Sequence, residues 1–175
     1  PLATAVVIGG DNLKTVKALL EAGANARVTY ALLGTLLSLA AHNIDTSVEV
    51  MSYLLTYDSG NLANATINVG ARLRGMIGRV SLLGRIGIRL GLVKRPFSFL
   101  WTMAHTKGAT PLTQAAMSGS LAAFRALVAH GADPLQKNSL GKSPTDILKL
   151  LFRGIPAPFE NALEMATPEY RSNHK

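Results

Sequence analysis

Cysteine is absent from the 175 residues. That excludes a disulfide framework, a thiolate zinc site and a thiol nucleophile, and it fits an intracellular protein, cytoplasmic or nuclear, held together by packing alone. Charged residues are scarce at 16%, and aromatic residues scarcer at 6%. Hydrophobic residues nevertheless make up 48%, enough apolar surface to offset chain entropy, so the chain is expected to fold as one unit or as a short stack of repeats. A long uninterrupted hydrophobic run is also missing. The apolar stretch near residue 82 is broken by Arg85 and Arg89, each costing about 2.5–3.5 kcal/mol at mid-bilayer, and no membrane-spanning segment is expected. The chain opens on Pro1-Leu2-Ala3, with neither an initiator methionine nor a signal pattern, and so reads as a piece of a longer polypeptide.

Acid is missing most conspicuously from one segment. Residues 61–107 hold Arg72, Arg74, Arg79, Arg85, Arg89, Lys94, Arg95 and Lys107 against no Asp or Glu, whereas the remainder balances ten basic residues with ten acidic ones. The net charge of +8 therefore belongs to one stretch and not to the whole surface, which argues against the entire chain being a nucleic-acid binder.

What is present is organised by turn residues and helical spacing. In GATPLTQAAMSGSLAAFRALVAHGADP, from Gly108 to Pro134, Thr110 is placed to cap a helix and Pro111 to occupy its first position, where the missing N–H costs nothing. Ala115 and Ala116 allow close helix approach, and Gly119 can end the helix at positive φ. Leu121, Phe124, Leu127 and Val128 follow at helical spacing up to Gly131. This stretch resembles the ankyrin repeat: a TPL-x-x-A opening, a glycine break, a second apolar helix and a GADP ending.

Weaker matches flank it. NSLGKSPTDILKLL, from Asn138, is similar to the opening of a further, incomplete unit, with Thr145 where the family has leucine. LEAGANA at 20–26 matches a repeat ending, and GTLLSLAAHN at 34–43 an opening, with Leu36 in place of proline. Leu2, Ala5, Val16, Leu19 and Leu20 correspond, 35 positions on, to Leu37, Ala40, Met51, Leu54 and Leu55. The family's inter-helix glycine would be Gly9 or Gly10 in the first unit, while the second has Ile44-Asp45 there.

The resemblance implies an all-α, ankyrin-type solenoid of stacked helix–turn–helix repeats with short hairpin-like turns, interrupted by the basic Gly/Arg-rich segment. The expected division is two repeats in 1–60, the first truncated, a divergent repeat or insertion in 61–107, one clear repeat and a partial one in 108–153, and a tail from 154 to 175 that caps the stack. It also implies protein binding through turn tips and the concave face of the first helices. The matching positions are His42, Asn43, Lys107, Ala109, Met117, Ser118, Lys137, Ser139, Leu140 and Lys142, with the lysines favouring an acidic partner. His105, like His42, falls where such a repeat exposes variable surface.

Three readings of 61–107 stand side by side. From Leu37 to Leu112 is close to two repeat lengths, which suits a degenerate repeat in register. An inserted basic loop would instead touch an anionic membrane surface or nucleic acid through Arg72, Arg74, Arg79, Arg85, Arg89, Lys94 and Arg95. A translated non-coding stretch is the third, suggested by small residues every third position at 75, 78, 81, 84 and 87. Leu73, Met76, Ile77, Val80 and Leu83 predict the apolar face of a helix over 72–83, opposite Arg72, Arg74, Gly78, Arg79 and Ser81. The alternation of Ile86, Ile88, Leu90 and Leu92 with Arg85, Gly87, Arg89 and Gly91 beyond it is a strand-like spacing or a poorly specified one. Phe97, Phe99 and Trp101 are expected to pack in a core, the other use of such rings beside arginines being base stacking or entry into a lipid interface.

No chemistry-bearing pattern competes with the binding reading. GKS at 141–143 lacks the glycine that a phosphate loop needs five residues before Gly141, since Gln136 stands there. His42, His105, His130 and His174 have no metal-ligand spacing, and Ser, His and Asp residues form no catalytic arrangement. No cofactor, no small-molecule substrate and no enzymatic activity are expected.

Overall fold

A computed structural model describes residues 1–8, 12–30, 34–43, 48–57, 62–67, 76–93 and 99–166. Along the chain come α1 (Leu2–Val7), α2 (Leu13–Glu21), a hairpin of β1 (Thr29–Tyr30) and β2 (Gly34–Thr35), α3 (Leu36–His42), α4 (Val48–Tyr57) and a 3-10 turn at Leu62–Asn64. There follow α5 (Met76–Arg89), α6 (Phe99–Thr106), α7 (Pro111–Ser118), α8 (Leu121–Ala129), α9 (Pro144–Phe152) and α10 (Ala157–Ala166). β1 and β2 pair antiparallel, Thr29 opposite Thr35 and Tyr30 opposite Gly34.

Most of these helices have six to ten residues, too short to persist in water alone, so start signals and lateral packing must hold them. The starts repeat. Hydroxyls of Thr35, Thr110 and Ser143 accept from the backbone N–H of Ser38, Thr113 and Asp146, and at Thr110 and Ser143 the third residue bonds back to close a capping box. Pro111 and Pro144 then occupy the first helical turn, and Gly119, at φ 72°, ends α7 in the left-handed conformation, as its place in the sequence predicts.

Lateral packing forms two rows. α1, α3, α7 and α9 pack successively on one another, and α2, α4, α8 and α10 do the same beside them, which is the ankyrin-type all-α ladder that the sequence implies. Leu37, Ala40, Ala41, Leu112, Ala115 and Ala116 are buried at the centre of the first row, where alanines let α3 and α7 approach. Phe124, Leu127, Met51, Leu54 and Leu163 fill the second, with the Phe124 and Phe159 rings edge-on at 5.1 Å. Each such fully buried side chain contributes about 1.5–3 kcal/mol. The residues matched at an offset of 35 are buried in both early units, apart from half-buried Ala5 and Leu19. Gly9, Gly10, Ile44 and Asp45 lie outside the described residues. α10 packs on α8 as α9 packs on α7, so the last unit has a second helix where the sequence suggested an incomplete repeat and a tail.

Three features mark the basic segment. α3 packs directly on α7 and α4 on α8, with neither α5 nor α6 between them. α5 packs instead on α6. Helical structure also runs through Arg89, past the point where the strand-like alternation begins, and Gly91, at φ 71°, follows its end. The glycines that weaken a lone helix here permit contact: a Cβ on Gly84 would lie 2.5 Å from the Leu100 carbonyl oxygen and one on Gly87 2.8 Å from Val93 Cγ2. Lastly, two residues of α5 lie on the side opposite to the one their spacing assigns. Ser81, assigned to the polar side, is buried with its hydroxyl donating to the Met103 carbonyl at 3.0 Å, whereas Leu83, assigned to the packed side, is exposed. The small residues at every third position are thus, at 81, 84 and 87, the seam against α6 and its approach.

Two substitutions test this packing. Ala116→Glu puts a carboxylate where no solvent reaches, and the cooperative thermal transition followed by circular dichroism is expected to vanish; an unchanged transition contradicts the ladder. Gly84→Ala wedges α5 off α6, so amide hydrogen exchange across 81–88 is expected to speed up at least about tenfold while α7 stays protected. Equal exchange in both chains would count against the seam.

Candidate interaction surface

The turns between helix pairs form a second ladder of hydrogen bonds beside the helices. Ile67 is tied by both its backbone groups to the turn before α7: its N–H donates to the Ala109 carbonyl at 2.8 Å, and the Gly108 N–H donates to the Ile67 carbonyl at 2.8 Å. The Ser139 N–H donates to the Lys107 carbonyl at 3.0 Å, joining that turn to the next. The Ile67 side chain presses on Gly34, where any Cβ would collide with Ile67 Cγ1, so the β1–β2 hairpin joins the same row. Gly34, at φ 73°, and Gly108, at φ 72°, supply the left-handed backbone these tight approaches require.

Asn138 fastens this row to α6. Its Oδ1 accepts from the Leu140 and Lys142 N–H groups, both at 3.0 Å, which fixes the amide's orientation. Nδ2 then donates to the His105 carbonyl at 3.1 Å and meets His105 Nδ1 at 3.2 Å, so Nδ1 is the acceptor of a neutral ring. Burial first, and the positive charge of Lys142 second, lower the His105 pKa from 6.5 to about 4, in keeping with that neutral form. The ring also packs on Trp101, with centroids 4.2 Å apart. His105 is only 2% exposed, so the expectation that it lies on variable surface is overturned: it is a core histidine of α6. Asp146 sits nearby; burial pushes its carboxyl up, but the Ser143 amide and hydroxyl with Lys142 and Lys149 outweigh this and hold it below its usual value.

The ten positions implied by the family resemblance divide by accessibility. His42, Lys137 and Lys142 are exposed, and Asn43, Lys107, Ser118, Ser139 and Leu140 are half-buried. Ala109 and Met117 offer no surface, because Ala109 is closed over by Ile67 and Met117, at 4% exposure, belongs to the core of the first row. Two of the half-buried side chains are engaged in stacking: Asn43 Nδ2 donates to the Val7 carbonyl at 2.8 Å, and the Ser118 hydroxyl lies 3.1 Å from the Ala41 carbonyl. The turns thus bring Lys107, Ser139, Leu140 and Lys142 together, with Lys137 in the same loop, and leave His42 and Asn43 at the far end of α3.

Sequence reasoning missed two elements. Leu135, exposed beside Lys137, completes the last turn and had no pattern to mark it. The outward face of α5 and α6 carries Leu82, Leu83, Ile86, Leu90, Phe99 and Leu100, all exposed; Phe99 therefore corrects the expectation of a packed ring, whereas Trp101 is buried as expected. Among the arginines, Arg79 and Arg89 are exposed and Arg85 half-buried, while Arg72, Arg74, Lys94 and Arg95, like Phe97 and His174, lie outside the described residues. No group of three or more His, Cys, Asp or Glu that could hold a metal occurs among the described residues.

Stacked two-helix units with hydrogen-bonded turns define a helical solenoid. Comparison with known families adds one match: the Ankyrin repeat family model matches residues 107–139, which marks that stretch as an ankyrin repeat within the stack. No curated protein matches the chain. Ankyrin repeats generally serve as protein–protein interaction modules and are typically non-catalytic.

The neutral state of His105 makes a pH prediction. Its pKa is lower in the fold than the ordinary 6.5, so its contribution is complete above that value and is lost as pH falls towards about 4. Urea unfolding is expected to show stability declining by about 3 kcal/mol across that window, with His105→Gln lacking this part of the decline. Parallel declines in the two chains would contradict the assignment.

Proposed function

We propose that this chain is a non-catalytic scaffold that binds a protein partner along its turn row, with Lys107, Lys137 and Lys142 selecting an acidic surface. The supporting observation is that successive turns are tied edge to edge, Ile67 to Ala109 and Lys107 to Ser139, so side chains from separate units are held on one rigid ledge. A preorganised ledge loses little conformational entropy when a partner settles on it, and long-range attraction between lysines and carboxylates speeds encounter. Leu135 and Leu140 add apolar contact beside the cations.

We infer also that 61–107 is an insertion into the turn between the second and third helix pairs. The direct packing of α3 on α7, together with the short gap bridged by the Ile67–Ala109 pair, supports this over a repeat in register. Loop tips accept such insertions because little buried backbone is disturbed.

The test uses the whole chain as bait in affinity capture from cells, against Lys107→Glu/Lys137→Glu/Lys142→Glu. The expected outcome is a partner retained by the former, with an acidic binding region, and lost from the triple variant by tenfold or more, at about 1.4 kcal/mol per tenfold. Equal retention by both chains would move the site elsewhere.

A further inference from the structure

α5 is an amphipathic helix turned outward. Its small residues, Ser81, Gly84 and Gly87, face inward, while Leu82, Leu83, Ile86 and Leu90, spaced three, four, seven and eleven positions from Arg79, share the opposite side. Leu83 is 62% exposed, Leu90 67%, and Phe99 in the adjoining first turn of α6 another 67%. Folding has placed Leu82, Leu83, Ile86 and Leu90, the residues best able to bury, on the exposed side of the helix. Contiguous exposed apolar surface of this kind marks a place where something else binds.

Charge narrows the occupant. Arg79 and Arg89 are exposed on or beside this face, and in sequence Arg72 and Arg74 precede the helix while Lys94 and Arg95 follow it, with no acidic residue from 61 to 107. A second copy of the chain is disfavoured, since two such hairpins would bring like charges together. Nucleic acid is disfavoured because four aliphatic side chains would be left against water or phosphate. An acidic protein would need a trough with carboxylates set in register at both ends of one short helix. An anionic bilayer meets the pattern without special shape, since apolar side chains enter the acyl boundary and arginine stems lie beside them with their guanidinium groups among the headgroups.

We propose that the outward face of the α5–α6 hairpin docks on the surface of an anionic membrane. The hairpin lies in the plane of the interface and does not cross it. α5 has 14 residues, about 21 Å of helix against a hydrocarbon core of about 30 Å, and no helix among the described residues is long and apolar enough to span. This proposal uses a different face from the turn row and stands whether or not that row binds a protein.

The test is co-sedimentation of the 175-residue chain with phosphatidylcholine vesicles, with and without phosphatidylserine. The chain is expected to pellet only with phosphatidylserine present and to be released by added salt. Arg79→Gln/Arg89→Gln is expected to weaken binding roughly 25-fold, at about fivefold for each cation near an acidic surface. Leu82→Ser/Leu83→Ser/Ile86→Ser/Leu90→Ser should abolish binding with every cation in place, and circular dichroism should show both variants folded because the altered side chains are exposed. Leu83→Trp supplies a readout free of any folding question: its emission should shift to the blue on phosphatidylserine vesicles. Failure of the wild-type chain to pellet would leave the face to an acidic protein and overturn the proposal. Pelleting with no blue shift, or undiminished in the serine variant, would reduce it to simple charge adsorption and overturn it equally.

Discussion

Packing of α3 on α7 is the contact on which everything else depends. These helices are short, carry few charges and have no disulfide to hold them, so each is stable only while its neighbours seal its apolar side. Ala40, Ala41, Ala115 and Ala116 make the approach close, and the Ser118 hydroxyl reaching the Ala41 carbonyl ties the helix ends. With that contact in place the turns fall into line, and Ile67, Lys107 and Ser139 can exchange backbone hydrogen bonds across units. The hydrogen-bonded turn row is therefore a consequence of helix packing and not a separate device.

The same contact explains how the chain tolerates its basic segment. If a turn tip is the only place where the chain leaves and rejoins the ladder, whatever lies beyond the tip must find its own packing. α5 and α6 do so through a seam of small residues, which leaves Leu82, Leu83, Ile86, Leu90, Phe99 and Leu100 outside while Trp101 is buried. An ordinary amphipathic helix in a ladder buries its leucines; this one, packed on the short α6, buries Gly84 and Gly87. Two surfaces of different chemistry result, a lysine-bearing ledge on the rigid stack and an arginine-rimmed apolar face on the hairpin.

Legibility in the sequence follows from this division. Caps, proline starts and glycine stops act locally, and Thr110, Pro111 and Gly119 state the start and end of α7 without any tertiary knowledge. The offset of 35 between the first two units was readable because buried positions recur with the helix period. The burial of Ser81 and exposure of Leu83 were not readable, because hydrophobic periodicity identifies an apolar face but cannot say that its partner helix prefers the small one; Gly84 beside the Leu100 carbonyl is a fact about another element. His105 was misplaced for a related reason. α6 lies immediately ahead of the clear repeat, and Trp101 and Asn138 enclose the ring, contacts that no local pattern announces. Ala109 and Met117 were named from the family pattern, and local packing by Ile67 and the first helix row removed them from the surface.

The order of helices in the ladder is open to one decisive measurement. Because the chain has no cysteine, His42→Cys and Ser118→Cys introduce the only two thiols, one at the end of α3 and one at the end of α7. Neighbouring helices lie about 8–10 Å apart, and an intervening repeat would roughly double that spacing. A thiol-specific cross-linker no longer than one helix spacing is expected to join the pair rapidly within a single chain. Absence of that cross-link, with joining only by a reagent of twice the length, would contradict direct stacking of α3 on α7.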